Sequence, residues 1–145
     1  MHAEYYKYPL DLKRIFQQQE LLKCSVGEAV SQNLHLIILS HHGEHRYNLS
    51  LGCDIWDLDF DLIMSLRIWE EKLRNSLLLS IQKNEKSLEQ VEVIVAVSEV
   101  ESIYNSNSDV SIKRQVDIRI QAVLKATGEK YYFNTQLFLS PVSAQ

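Results

Sequence analysis

Residues 115 to 124 read QVDIRIQAVL, and apolar and polar side chains alternate as far as Ala122. A period of two sends successive side chains to opposite faces of a β-strand, so this stretch predicts a strand with one buried and one solvated face. Valine likewise occupies every second position from Val91 to Val97, and alternation returns after the turn signal Thr127-Gly128. The last third of the chain therefore predicts an antiparallel meander.

The strands of this meander are expected at 91–100, 113–125 and 130–139, with a polar loop at 105–111 between the first two. A middle strand is paired on both sides, so a free edge must belong to the first or the last strand. The last strand lacks the prolines and inward charges that protect an edge. Its residues Thr135 and Gln136 are therefore our candidates for receiving a partner strand.

Helical periodicity precedes the meander. Residues 9–16 have the spacing of a short amphipathic turn or helix. A stronger signal starts at Ser25, which with Glu28 has capping-box spacing. We expect that helix to hold His41 and His42 in its last turn and to stop at Gly43.

A short strand and a long helix are expected between that helix and the meander. Residues 46–51 alternate, which predicts the strand. An apolar stripe at intervals of three and four predicts a helix over 62–84. The predicted fold class is α+β, with the N-terminal helices and the one long helix packed on a small, mainly antiparallel sheet that ends in the three-stranded meander. We expect a tyrosine-rich arm at 1–8, one domain at 9–140 and a tail at 141–145.

The charge balance narrows the classes of partner. The chain has 15 Lys and Arg against 19 Asp and Glu, with a net charge of -4, and its basic residues are scattered. Nucleic acid is a poor partner for such a surface. The start has no signal-peptide pattern, and no apolar run is long enough for membrane insertion, so the expected location is the cytoplasm. Cys24 and Cys53 are expected to be reduced and packed.

Residues 41 to 61 contain the side chains for three candidate sites: a histidine and cysteine metal site, a calcium loop and a glycoside hydrolase site. A metal site would use ligands from His41, His42, His45 and Cys53, but the predicted helix end at Gly43 separates the histidines and no second ligand pair follows. A calcium loop would open at Asp57, Asp59 and Asp61, but the glycine and glutamate that such a loop needs are Leu62 and Ile68 here. We therefore expect no metal and no cofactor.

A glycoside hydrolase remains the third alternative. It would use Glu44 as the acid and Asp54, Asp57 or Asp59 as the partner, although spacing alone cannot show a sugar-binding cleft. Carboxylates near helix starts also have a simpler explanation in the helix dipole. The residues therefore favour a protein-binding role and no enzymatic activity.

Residues 43–56 read GEHRYNLSLGCDIW and resemble the signature of the phage tail baseplate-wedge family, whose members include the type VI secretion subunit TssE. In that family a Gly-Glu pair opens a strand and a second glycine closes it, a spacing that Gly43 and Gly52 keep. The arginine that follows the glutamate there is displaced here to Arg46. A Glu-Pro-Arg motif after the long helix is reduced to Glu85.

The resemblance implies a structural role, although members of the family often carry a lysozyme label. It implies a baseplate subunit that binds wedge proteins such as TssF and TssG and the base of the contractile sheath. Such a subunit would assemble at the cytoplasmic face of the inner membrane. The expected protein-binding residues are Glu44, Arg46, Gly52, Asp54, Trp56, Glu85, Thr135 and Gln136. A regulatory, anti-adaptor-like binding module on the same fold is the alternative.

Overall fold

The computed structural model describes residues 4–56, 65–103 and 110–139, except for the side chains at 56, 101–103 and 110–112. Two helices pack against a three-stranded antiparallel sheet, which confirms the predicted α+β class. The elements are β1 (Tyr5–Tyr6), α1 (Leu12–Phe16), β2 (Lys23–Cys24), α2 (Val26–Leu39), a 3₁₀ turn (Asp54–Trp56), α3 (Leu66–Asn84), β3 (Leu88–Ile103), β4 (Val110–Leu124) and β5 (Lys130–Leu139).

The meander is present, with strand order β3-β4-β5. Its first two strands are longer than predicted, so Val110 and Ser111 belong to β4 and not to the loop. The rest of that predicted loop lies outside the described residues. Gly128 has a φ of 73° and donates its N–H to the Leu124 carbonyl at 2.7 Å, which confirms the turn before β5.

The core fills one face of this sheet. Val116, Ile118 and Ile120 of β4 are almost fully buried, as their alternation predicted, whereas Arg119 between the two isoleucines and Gln121 after them are exposed. From the helices, the buried apolar side chains are Val30, Leu34, Ile37 and Ile38 of α2 and Trp69, Leu73, Leu77 and Ile81 of α3.

The start of α2 is as predicted, but its end is not. Ser25 accepts from the Glu28 N–H, and the Glu28 carboxylate accepts from the Ser25 N–H at 2.9 Å, so the capping box is complete. The hydrogen bonds that the Ser25 N–H and hydroxyl donate to this carboxylate lower the pKa of Glu28. The helix ends at Leu39, because Ser40 is extended and its carbonyl accepts the Cys53 N–H at 3.1 Å. The predicted last turn with His41 and His42 was wrong.

The long helix α3 begins at Leu66 behind the N-cap Ser65, whose Oγ accepts from the Ile68 N–H. Residues 62–64, where the prediction placed the start of this helix, lie outside the described residues. Asp57, Asp59 and Asp61, which we assigned to the helix entry, lie outside the described residues.

The N-terminal segment is tied to the domain. Tyr5 and Tyr6 pair antiparallel with β2, and the short helix α1 confirms the predicted amphipathic turn. The Tyr8 N–H donates to Gln32 Oε1 of α2 at 2.5 Å, and Gln32 Nε2 reaches the Tyr6 carbonyl. One amide side chain therefore holds the arm against α2.

Candidate protein-binding surfaces

The segment from Arg46 to Leu51 is a series of turns, so the predicted strand was wrong. Asn48 is the cause, because its Oδ1 accepts from both the N–H and the hydroxyl of Ser50, at 3.2 and 2.6 Å. A side-chain acceptor of this kind satisfies the backbone locally and favours a turn over a strand. The Gly43 N–H closes the loop on the Leu49 carbonyl at 3.0 Å.

Glu44 and Arg46 lie in this loop, and both are exposed. The Glu44 carboxylate accepts the His41 N–H at 3.0 Å, which fixes the first turn after α2. The Arg46 guanidinium lies over the ring of Tyr47, 5.8 Å from its centroid, and forms no ion pair with Glu44. The loop therefore presents a cation and an aromatic ring to solvent.

A close contact between two backbone segments requires glycine at position 52. Its φ is 114°, and an added Cβ would lie 2.5 Å from the Ser40 carbonyl oxygen. The Gly52 carbonyl accepts the hydroxyl of Ser80 at 2.5 Å, which joins this crossing to α3. Gly52 is buried, so its role in the described structure is to let two backbone segments meet.

Asp54 begins the 3₁₀ turn next to that crossing. Its carboxylate lies 2.5 Å from His42 Nδ1, and its N–H donates to Ser76 Oγ of α3 at 2.9 Å. Asp54 thus binds the loop on one side and the long helix on the other. Trp56 ends the same turn, and its side chain lies outside the described part of the structure.

Sequence reasoning missed an amide and hydroxyl network that fastens the loop to α3. Asn84 Nδ2 donates to the Ser50 carbonyl at 3.1 Å, and Asn84 Oδ1 accepts from Asn48 Nδ2 at 3.0 Å. Buried Ser80 is part of the same network. Serines and an asparagine within a helix that is otherwise apolar on its inner face were the available signal.

Glu85 is buried, with 7% of its surface exposed. Its carboxylate accepts from Asn33 Nδ2 of α2 at 2.8 Å and from the Ser87 N–H at 2.9 Å. Glu85 therefore joins the end of α3 to α2 and to the start of β3. This geometry makes it a residue that holds the fold together.

Tyr131 connects α2 to β5. Its hydroxyl oxygen lies 2.6 Å from Ser31 Oγ, and the next inward ring, Phe133, meets His35 edge to face with centroids 4.8 Å apart. Burial raises the pKa of the Tyr131 hydroxyl, and the bond to Ser31 opposes that rise. Helix α2 thus covers the inner face of β5.

The two outer strands of the sheet, β3 and β5, differ in the contacts that the described residues make with their free edges. On β3, the Val97 N–H points away from β4 and donates to Glu70 Oε1 of α3 at 2.7 Å. A helix carboxylate therefore occupies a donor that an incoming strand would need. No described residue pairs with the outer edge of β5 as a strand.

The register shows which groups β5 offers. The Leu124 N–H bonds to the Glu129 carbonyl at 2.9 Å, and Val123 is paired with Lys130. Hydrogen-bonded pairs alternate along an antiparallel ladder, so Thr135 turns its N–H toward β4 and Gln136 turns its N–H outward. The Gln136 side chain is exposed and donates to Asp117 Oδ1 at 2.8 Å.

Those candidate enzyme and metal residues that the structure describes are not gathered into one centre, and Asp57, Asp59 and Asp61 lie outside the described ranges. The described residues contain no group of three or more His, Cys, Asp or Glu side chains that could hold a metal ion. Glu44 is exposed, whereas the general acid of a glycosidase lies in an apolar pocket that keeps it protonated. Cys53 is buried and directs its thiol to the Ile38 carbonyl, and Cys24 is half-buried.

Comparison with known proteins gives a likeness of fold. No family model matches the chain, and no curated protein matches it. A crystal structure from Geobacter sulfurreducens that carries the name tail lysozyme is similar, with a TM-score of 0.59 and 16% sequence identity. The similarity covers 86% of this chain and 100% of that one. It shows that the two chains share a fold, and at this identity it does not transfer residue roles.

A further structural observation concerns membranes. Every helix in the described ranges is too short or too polar to cross a bilayer.

Proposed function

We propose that this protein is a structural, non-enzymatic baseplate wedge subunit of a contractile injection machine, similar to TssE. It would bind other wedge proteins, of the TssF and TssG kind, and the base of the sheath. The observation that carries the proposal is the difference between the two sheet edges: Glu70 binds one outward N–H on the edge of β3, whereas no described residue pairs as a strand with the outer edge of β5, which offers its backbone groups to an added strand. The likeness to a protein named for a phage tail supports the same proposal.

The open edge has the chemistry of a strand acceptor. Lys130, Tyr132, Asn134, Gln136 and Phe138 turn their N–H and C=O groups outward by the register derived above. None of these residues is a proline, and their side chains on the solvent face are exposed. Main-chain bonds to this row would provide affinity, and the alternate side chains would provide selectivity.

The site of action proposed is the cytoplasmic face of the inner membrane, where the machine assembles. The protein would be held there by its partners and not by a span of its own. Neither a cofactor nor a metal takes part in this role.

Proline scanning at the β5 edge tests the proposal. Gln136→Pro removes an outward N–H and leaves the β4 ladder intact, whereas Gln136→Ala keeps that N–H and removes only the side-chain bond to Asp117. We expect Gln136→Pro to fold, by circular dichroism, and to lose wedge and sheath subunits in co-purification with mass spectrometry from cells of its source. Gln136→Ala should retain them.

Thr135→Pro is the companion variant, because its N–H turns toward β4 and its loss should weaken the fold itself. Normal sheath assembly with Gln136→Pro would refute the role of the edge. Recovery of no wedge or sheath subunit with the unaltered protein would refute the function.

Peptidoglycan hydrolysis is the second candidate, since the similar structure is named a lysozyme. It would use Glu44 as acid and Asp54 as partner, and both carboxylates already make local hydrogen bonds. We expect purified protein to release no soluble fragments from peptidoglycan between about pH 4 and 9, a range that covers the working pH of a carboxylate pair. Lysis that Glu44→Gln abolishes would establish the enzyme and remove the structural proposal.

A further inference from the structure

The helix α1 exposes an apolar stripe. Leu12, Ile15 and Phe16 lie three and four residues apart, on one side of the helix, and are 56%, 52% and 88% exposed. No residue of α1 is buried. Soluble proteins rarely leave contiguous large apolar side chains in water unless a partner covers them.

This stripe is held in place although it contributes little to the core. We call residues 4–24 the N-terminal lobe. Within it, the Lys7 N–H donates to the Leu22 carbonyl at 2.8 Å, and Arg14 Nε donates to the Glu20 carbonyl at 2.9 Å. These bonds, with the β1–β2 pairing, fix the helix before any partner arrives. Preorganisation of this kind lowers the entropy lost on binding.

The charges of the lobe are unbalanced around the stripe. Glu4 lies 3.0 Å and Glu20 3.9 Å from Lys23 Nζ, and the hydrogen bond that Lys23 donates to the Glu4 carboxylate raises the pKa of Lys23. Asp11 accepts the Lys13 N–H as the helix cap. The lobe therefore uses its carboxylates internally, and among the described residues none lies within ion-pair distance of the Lys13 ammonium.

We propose that the N-terminal lobe docks an acidic amphipathic helix of a partner protein. Leu12, Ile15 and Phe16 would pack against the apolar stripe of that helix, since both follow the same spacing. Lys13 and the guanidinium of Arg14 would meet its flanking carboxylates. Phe16, the most exposed of the three, has the size and position of a binding anchor.

This surface is independent of the β5 edge. The lobe contacts α2 through Gln32, whereas β5 contacts α2 through its inward side chains Tyr131 and Phe133 and has its free edge on the outer side of the three-stranded sheet. Loss of binding at one surface would therefore leave the other unaffected, and the two proposals can fail separately.

The probe is a fluorescein-labelled helical peptide with leucines along one face and glutamates elsewhere, titrated with the full chain in an anisotropy assay. Phe16→Ala should weaken binding by about tenfold or more, as expected for an anchor. Leu79→Ala is the matched control, because Leu79, like Phe16, is a large apolar side chain exposed on a helix. It lies on α3 and is 67% exposed. Leu79→Ala should leave the affinity unchanged. Equal effects of the two variants would overturn the proposal.

Charge is tested with a second peptide in which every glutamate is replaced by lysine. The acidic peptide should bind at least about tenfold more tightly, and Lys13→Glu should remove that preference, whereas Lys72→Glu on α3 should not. Equal binding of the two peptides would overturn the acidic partner. Binding to mixed phosphatidylcholine and phosphatidylglycerol vesicles without peptide binding would overturn the partner helix and show that the stripe contacts a membrane. Self-association that Phe16→Ala abolishes would overturn it in favour of a second copy of this chain.

Discussion

Glu70 Oε1 accepts the Val97 N–H at 2.7 Å, so the long helix binds one outward backbone donor on the free edge of β3. An unpaired strand edge invites pairing with another chain, and a carboxylate at this position removes one donor and adds a negative charge there. The bond therefore makes the sheet asymmetric. A helix carboxylate binds one outward donor of β3, whereas no described residue pairs as a strand with the outer edge of β5, the edge that we propose for a partner.

Glu70→Ala should reveal what this bond contributes. We expect a loss of about 1 kcal/mol in the free energy of unfolding, because both groups are only half-buried. We also expect concentration-dependent association through β3, measured by light scattering after size-exclusion chromatography. Glu71→Ala, one position along on the exposed side of α3, is the control. A Glu70→Ala protein that stays monomeric with unchanged stability would contradict the edge-capping role.

Gly52 gives a prediction about backbone contact. Gly52→Ala would place a Cβ 2.5 Å from the Ser40 carbonyl oxygen at a φ of 114°, so we expect a loss of about 2 to 4 kcal/mol in denaturant unfolding. Gly27→Ala is the matched control, since nothing lies within 4 Å of its Cβ position and it sits in α2. Gly27→Ala should raise the free energy of unfolding by up to about 1 kcal/mol. Similar effects of both changes would contradict the close-contact explanation.

Local patterns predicted much of the fold correctly. The alternation in β4 predicted its buried face at Val116, Ile118 and Ile120, and the Ser25–Glu28 pair predicted the start of α2. Both signals are physical consequences of one element, because a strand shows its period and a helix shows its cap within a few residues. Neither requires knowledge of a distant segment.

The errors arose where a distant segment decides the conformation. Residues 46–51 alternate, but none of the described strands pairs with them, and Asn48 closes the turn instead. The end of α2 depends on Cys53, which bonds to Ser40 from thirteen positions away. The candidate Glu85 was chosen from a motif, and only tertiary packing shows that its carboxylate is buried against Asn33.

Glu85 should behave as a structural residue. Glu85→Ala leaves Asn33 Nδ2 and the Ser87 N–H without the carboxylate that each now uses, and we expect a loss of about 2 to 3 kcal/mol in the free energy of unfolding. Glu85→Gln keeps one acceptor oxygen, so its loss in the free energy of unfolding should be smaller than that of Glu85→Ala. A Glu85→Ala variant as stable as the parent that no longer binds wedge proteins would instead support a direct contact with a partner.

The capping box should make stability depend on acid pH. Hydrogen bonds from the backbone and hydroxyl of Ser25 hold the pKa of Glu28 below its ordinary value, so the folded state prefers the ionised form. The sign follows from linkage: a depressed pKa contributes stability that is complete above the unfolded value, about 4.3, and that is lost as the pH falls through the folded value. Glu28→Gln keeps an acceptor for the Ser25 N–H but cannot titrate. The difference in unfolding free energy between the parent and Glu28→Gln should therefore be constant near neutral pH and shrink below about pH 4.

Two further variants show whether this acid dependence comes from the cap. Ser25→Ala removes the donor hydroxyl and the acceptor for the Glu28 N–H, so it should cost about 1 kcal/mol at neutral pH and reduce the acid dependence of the parent. Glu71→Gln changes an exposed carboxylate in the middle of α3 and should leave the profile unaltered. Urea unfolding measured from pH 7 to about pH 3 spans the window in which Glu28 takes up its proton. If the parent and Glu28→Gln lose stability in parallel over that window, the acid sensitivity belongs to other carboxylates and the ionised form of Glu28 has no special place in the folded state.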